Sequence, residues 1–436
     1  MAFPSLLNPR PLSFFTLWLN LQTSGPEPWA FRLSNIAIHA AAVQMCFLAL
    51  RRIVSSENAL LAAAIFAVHP LQAESVLYVF SRPILLMGFF CWAALERWLA
   101  GKHWIAFLLY LLALLSKEEA VAFPVFLIAL HLSTGSKKDQ RIPLAAMLAF
   151  ALIGVVATAT ITANIVGSGA GAQSGITSGT YLATQTKVVS VYALETLIPF
   201  HFDLPVFDWQ PVVLDPWWAL LWLLPLALAI TFRARLRNSQ WAFWVLAAFI
   251  FLAPTSSIFP LADLAAFRRM YLPIACCAVA ATFFRPRLLG CCLALCIVIA
   301  AHNNWTLWRS PEALWQQSAI AGNSLRAYLQ HARYVPPAEA LASLAAIEEK
   351  GRESDLYYTE IGRIQLELNQ PAQALNAFGK ALALNPTKPS NVFNRGIALL
   401  ALDQKETAIA DFRRALEIDP NFKLASEALS RLTAAK

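Results

Sequence analysis

Up to about Asn303 the apolar residues of this chain run in long, nearly unbroken blocks, and beyond it they give way to polar sequence carrying a recurrent small/aromatic pattern. A helix with one solvated face shows polar residues on every turn, and these blocks do not. Taking roughly 20 apolar residues per crossing, candidate spans fall at Trp29–Leu50, Ala59–Val79, Ile84–Ala100, Trp104–Leu115, Val121–Leu132, Ile142–Ile165, Trp217–Phe232, Trp241–Phe259, Met270–Phe284 and Leu288–Ala301. Helical form is required of them, because lipid offers no partner to an unpaired backbone amide. Val188–Phe200 follows a Gly/Ser-rich loop at Gly167–Gly179, is short, carries Glu195 and has Pro199 near its end. It suits an interfacial or re-entrant helix. His69-Pro70 marks a helix break inside the second block.

In the polar tail, Gly362, Ala374, Phe378, Ala381 and Pro386 are answered 34 positions later by Gly396, Ala408, Phe412, Ala415 and Pro420. That is the period of a tetratricopeptide repeat. The spacing has a mechanical basis: Gly362 and Ala374 let two antiparallel helices approach, Phe378 fills the gap between them, and Pro386 stops the second helix. Tyr358 and Val392 fit the bulky position that opens each repeat. Clear repeats are expected at about 355–388 and 389–422, a degenerate one at about 321–354 (Ala340, Leu344 and Ile347 lie one period before Ala374, Phe378 and Ala381), and a capping helix at 423–435. The expected fold class is all-α in two domains. Residues 1–302 form a polytopic helical membrane domain and residues 303–436 a tetratricopeptide α-solenoid, whose concave surface suits a protein or peptide partner.

Composition reinforces the first half of this picture. The chain is 58% hydrophobic and 14% charged, with mean hydropathy +0.54; since the tail is ordinary in polarity, the remainder is too apolar for a soluble domain. A net charge of +8 raises nucleic acid as a partner, but the basic residues sit in short clusters between apolar runs, not along one face, which excludes that class. The clusters instead mark cytoplasmic ends: Arg51 with Arg52, Arg97 with Lys102, Lys137 and Lys138 with Arg141, Arg233 with Arg235 and Arg237, Arg285 with Arg287. Alternation closes if Val188–Phe200 does not cross, which leaves about ten spans. Parity then places outside the N-terminus, the loops at Arg82, Lys117, 166–216 and 260–269, and the repeat tail. All seven cysteines fall in apolar runs without a CxxC pair and read as small packing residues. No HExxH, DxD or Cys/His ligand spacing occurs, so no metal site is assigned; Asp203 and Asp208 read as solvated acids of a proline-rich loop.

The external face gathers charge that topology does not need: His69, Glu74, Arg82, Lys117, Glu118, Glu119, Asp203, Asp208, Asp263, Arg268 and Arg269. Ionisable groups at membrane depth cost several kcal/mol and carry a functional presumption, although Arg82 and Lys117 also fit snorkelling at span ends. Acid, base and paired cations on one face match a lipid phosphate and an acceptor to be oriented or deprotonated.

Several words in the sequence carry a family resemblance. They are Arg10-Pro11-Leu12 through Trp29, His69-Pro70-x-x-x-Glu74, Ser81-Arg82-x-x-Leu85-Leu86, Leu115-Ser116-Lys117-Glu118 followed by Pro124, Ala266-x-Arg268-x-x-Tyr271-Leu272-Pro273, and the segment Trp305–Trp315 leading into the repeats. In combination with terminal repeats they resemble the transmembrane and tetratricopeptide-repeat O-mannosyltransferases and their bacterial relatives. The resemblance implies a GT-C glycosyltransferase fold that takes a mannose-like sugar from a polyprenyl phosphate on the external face and gives it to a protein acceptor presented by the repeats. It implies Arg82, Lys117, Arg268 and Arg269 as holders of the lipid phosphate, with His69, Glu74 and Glu118 as supporting polar groups. The setting it implies is a bacterial inner membrane with a periplasmic tail, or an endoplasmic reticulum membrane with a lumenal one. Family members begin with a further span and an external loop whose acids include the presumed base. Here no Asp or Glu precedes Glu27 and Phe267 stands where the family has Glu, so no catalytic residue is assigned. The alternative expectation is a catalytically inactive, membrane-anchored repeat scaffold.

Overall fold

A computed structural model of the chain describes residues 10–134, 141–164, 177–199, 209, 227, 239–256, 260, 261, 263–284 and 286–434. Among them all regular structure is helical, and the chain divides into two compact units between Arg309 and Ser310. Apart from residue 227, the expected span Trp217–Phe232 lies outside the described residues, as do the acids Asp203 and Asp208.

The first unit contains α1 (Pro11–Ser24), α2 (Pro28–Leu50), α3 (Ser56–Val68), α4 (Gln72–Leu77), α5 (Arg82–Leu99), α6 (His103–Ser116), α7 (Ala122–Thr134), α8 (Arg141–Asn164), α9 (Ser178–Leu197), α10 (Gln240–Leu252), α11 (Tyr271–Thr282) and α12 (Pro286–Thr306). Helix α5 is buried on nearly every face, packed between α2 and α6. Its Gly88 lies under the Tyr271 ring with no room for a Cβ. Tyr271 in turn meets Phe66 edge-on at 5.0 Å and bonds His39 Nδ1 through its hydroxyl at 2.8 Å, so α2, α3, α5 and α11 share one core. Phe126 of α7 packs on Phe243 and Phe251 of α10, extending it.

Several sequence readings are refined here. The break expected at His69-Pro70 divides the block Ala59–Val79: Pro70 lacks an amide hydrogen and forces His69 out of helical geometry, to ψ 130°, so α3 stops and the six-residue α4 restarts beyond it. The helix read at Val188–Phe200 is longer, α9 starting at Ser178 where Thr177 caps the amide of Thr180. Helix α1 precedes the first expected span; Pro11 suits its first turn, and it ends at Gly25, whose φ of 69° is open to glycine at little cost. Trp305–Trp315 is interrupted, because Ser310 caps a new helix, α13 (Pro311–Gly322), by accepting from the amide of Ala313.

Two segments, Pro28–Leu50 and Val79–Leu99, are long and apolar enough to cross a membrane. The shorter apolar helical segments, of 10–17 residues, are Ser56–Val68, His103–Ser116, Pro143–Val156, Gln240–Leu252 and Leu289–Asn303. Side chains on the outside of this unit are nonetheless strongly apolar: Leu152, Ile153, Val155 and Val156 of α8 and Ile297 and Val298 of α12 are all about half exposed or more. Runs of large apolar side chains exposed on single helices in this way are unusual for a soluble protein.

In the second unit, α14 (Leu325–His331), α15 (Pro337–Ala345) and the single turn α16 (Glu348–Gly351) form the degenerate repeat. The two regular repeats are α17 (Asp355–Glu367) with α18 (Pro371–Leu384), and α19 (Pro389–Ala401) with α20 (Lys405–Ile418); α21 (Lys423–Ala434) caps them. A Cβ on Gly362 would lie 2.6 Å from Phe378 Cε1, and one on Gly396 2.6 Å from Phe412 Cε1. Ala374, Ala381, Ala408 and Ala415 are fully buried. Helices α18 and α20 end before Pro386 and Pro420. The first helix of each regular repeat also ends on a left-handed residue one period apart, Asn369 (φ 58°) and Asp403 (φ 63°), residue types that tolerate this region. The opening position is shifted by one in the first repeat: Val392 is buried as expected, but Tyr357, not Tyr358, enters the core, because Gly351 leaves room for its ring. Ala374→Trp is expected to wedge α17 from α18 at a cost of about 1–3 kcal/mol, whereas Gln373→Ala, on the exposed side, costs about 0.5 kcal/mol or less. Equal thermal stability of the two variants in a fragment starting at Ser310 would contradict this register.

Candidate functional site

The charged residues of the first unit separate toward opposite ends of its helices. At one end of α2 and α5, Arg52 and Arg97 meet on the buried Glu96. At the other end lies the set singled out from the sequence.

There the 3₁₀ turn Phe267–Met270 holds Arg268, and the short α4 holds Glu74, whose side chain is buried. Glu74 accepts from the backbone amide of Arg268 at 3.0 Å and from its guanidinium, while Asp263 accepts from the second terminal nitrogen at 2.5 Å. Burial opposes the charge of Arg268, but Glu74 and Asp263 outweigh it and push its pKa up. Arg269 is turned to backbone carbonyls, those of Leu264 at 3.0 Å, Thr255 and Asp263.

The turn after α6 supplies the second half. Lys117 bonds Glu119 at 2.6 Å, and Glu118 takes a two-pronged contact from Arg10, 2.8 Å to Nε and 2.5 Å to Nη2. Burial lowers the pKa of Lys117 further than Glu119 and Glu118 restore it. Burial would raise that of Glu118, but the Arg10 bond and charge and the Lys117 charge hold it below the usual carboxylate range. Arg10 feels Glu118 and Glu119 and also Arg268, so both halves form one electrostatic neighbourhood.

His69 and Arg82 play different parts. His69 ends α3, receives the amide of Leu71 on Nδ1 at 3.3 Å, and reaches the Thr196 carbonyl of α9 at 3.2 Å. Its carbonyl partner is therefore a distant segment, not the local one the His-Pro break suggests. Arg82 donates to Asn35 Oδ1 (2.9 Å), Thr16 O (3.0 Å), Asn20 Oδ1 (2.8 Å) and Phe31 O (3.1 Å), and lies over the Phe31 ring. It clamps the starts of α2 and α5 to α1. Among the residues proposed as phosphate ligands, Lys117, Arg268 and Arg269 belong to the charged neighbourhood and Arg82 to this clamp.

Sequence reasoning did not single out the groups that position the site. Tyr181, Gln185 and Tyr192 lie on α9 at spacings of four and seven, one face of a helix. They bind the carbonyls of Thr255 (2.6 Å), Leu264 (2.7 Å) and Ala266 (2.9 Å), and Tyr192 Oη also accepts from the Ala266 amide. The α9 face thus fixes the loop and 3₁₀ turn that carry Asp263, Arg268 and Arg269. That polar spacing was the available signal. Among the described residues no group of three or more His, Cys, Asp or Glu could hold a metal ion.

Comparison with known proteins bears on the repeats and on the family resemblance. Tetratricopeptide-repeat models match residues 356–388 and 393–422. The chain is 32% identical over 120 residues to the protein O-mannosyl-transferase Tmtc1 of Drosophila melanogaster, which covers 26% of this chain and 14% of that protein. It is 35% identical over 94 residues to protein O-mannosyl-transferase TMTC3 of Mus musculus, covering 21% and 10% respectively. A small glutamine-rich tetratricopeptide repeat-containing protein of Mycosarcoma maydis is 42% identical over 59 residues, 14% of this chain and 16% of that protein. The matched segments thus span a minor part of each relative.

Proposed function

We propose that this chain is a membrane-embedded glycosyltransferase of GT-C type that draws a sugar from a polyprenyl-phosphate carrier and passes it to a protein acceptor recruited by the repeats. The observation that carries the reading is the convergence of Arg10, Lys117 and Arg268 with Glu74, Glu118 and Asp263 at one end of an apolar helical unit. A phosphodiester arriving there would compete with the carboxylates for the same charge-assisted donors. The partial similarity to protein O-mannosyl-transferases supports it, as does the apolar outer surface of α8 and α12, which needs a bilayer to cover it. Helices of 13 or 14 residues are about 20 Å long and reach membrane depth where neighbouring segments or water satisfy their ends. With Arg52 and Arg97 cytoplasmic, the opposite charged end and the repeat tail face outside; the setting is an inner membrane with a periplasmic tail or its lumenal equivalent.

In this reading Arg10, Lys117 and Arg268 hold the phosphate, with Arg269 and Arg82 keeping the loop and helix starts in place. Glu74, Glu118, Glu119 and Asp263 are each bonded to a cation, and none is assigned as the base that takes the acceptor proton. The same pairing favours a second reading, a repeat scaffold anchored by a catalytically silent membrane unit. Proteoliposomes given a radiolabelled polyprenyl-phosphate mannose and a Ser/Thr-containing peptide decide between them: the glycosyltransferase transfers label to the peptide. Peptide capture without label leaves the scaffold.

A further inference from the structure

Helix α1 is built inside out. At 100° per residue Ser13, Thr16, Asn20 and Ser24 fall on one side, and Phe14, Phe15, Trp18 and Leu19 on the other. The polar side faces the protein: Ser13 Oγ donates to the Ser116 carbonyl at 2.9 Å, and the Thr16 carbonyl and Asn20 side chain receive Arg82. Phe14, Phe15 and Leu19 are about two-fifths exposed, and the helix carries no charged residue.

Its contacts fix its course. Ser116 is the last residue of α6 and Arg82 the first of α5, two helices packed on each other. Ser13 and Asn20 are about 10 Å apart along α1, one interhelical spacing. Helix α1 therefore lies across the helix ends, at the level of the charged site, instead of running beside α5 and α6. Gly25 and Pro26 then turn the chain into α2, whose Trp29, Leu33 and Ile36 form an exposed stripe at helical spacing.

We propose that α1 is an interfacial helix whose aromatic side sits in the lipid headgroup boundary, so that the bilayer surface itself seats Arg10 on Glu118 and Thr16 and Asn20 on Arg82. The occupant is lipid and not a peptide, because α1 leads within four residues into α2, a segment long and apolar enough to span that itself exposes Trp29, Leu33 and Ile36, and a helix with Phe and Trp outward matches the boundary region. This inference rests on the membrane reading of the first unit.

The test replaces Phe15, Leu33, Leu152 or Leu424 singly by p-benzoylphenylalanine in the full chain, reconstituted in vesicles of phosphatidylcholine and phosphatidylglycerol and irradiated. Lipid-mass adducts are expected at positions 15, 33 and 152 and not at 424 in the repeats. Adducts at 33 and 152 without one at 15, or a protein–protein adduct at 15, would overturn the interfacial helix and leave the spans standing. An adduct at 15 alone would keep the helix and remove the spans. Lipid adducts at none of the positions, or equally at 424, would overturn both.

Discussion

Gly362→Val is expected to destabilise the repeat unit by about 3 kcal/mol, at the top of the range for overpacking a close helix pair. A Cβ at this position already lies 2.6 Å from the Phe378 ring, and the branched side chain adds two methyl groups to a gap that does not accept one. The ring cannot swing clear, because Phe378 is 2% exposed and packed between Ala374 and Ala398. Gly379 offers the contrasting case on the same helix pair: nothing lies within 4 Å of a Cβ there. Gly379→Ala should therefore gain up to about 1 kcal/mol through helix propensity alone. Chemical denaturation of a fragment starting at Ser310 reads both signs, and a Gly362→Val fragment as stable as the parent would contradict the packing of α17 on α18.

Arg82→Ala should cost about 3–5 kcal/mol in the first unit, because several neutral acceptors lose a charge-assisted donor at about 1–3 kcal/mol each. Four acceptors on two helices lose their donor together: Asn35 and Phe31 of α2, and Thr16 and Asn20 of α1. Arg82→Lys should recover little, since a point ammonium cannot reach the forked acceptors that a guanidinium spans. Thermal unfolding in detergent monitors the loss. A variant that melts like the parent yet binds lipid phosphate more weakly would show Arg82 to be a ligand and not a clamp.

How far the sequence carried each feature follows from the range of the interactions involved. The repeats were legible because Gly362, Phe378 and Pro386 act within one helix pair, and the same demands recur a fixed distance later. Among the charges, Lys117, Arg268, Glu74 and Glu118 were found as ionisable groups near apolar sequence, but their pairing was not, since Glu74 meets Arg268 across 194 positions and Arg10 meets Glu118 across 108. Helix α1 was missed for a physical reason: its polar residues point inward to Arg82 and Ser116, so an apolar-inside pattern misreads it. The split of the second block at His69-Pro70 follows from proline chemistry alone, and the length of α9 follows from the Thr177 cap, which lies in sequence that composition marks as loop.

The account stands most directly on equilibrium binding of a labelled polyprenyl-phosphate analogue to the detergent-solubilised full chain. Lys117→Ala, Arg268→Ala and Arg10→Ala are each expected to weaken binding about tenfold or more, the loss of one charge-assisted contact of about 1.5–3 kcal/mol. Arg52→Ala, whose side chain bonds Glu96 at the opposite end of α5, should bind as the parent does. Unchanged affinity in all three site variants, each verified to retain the parent's elution profile, would remove the lipid-phosphate site from this end of the protein and leave the repeat scaffold.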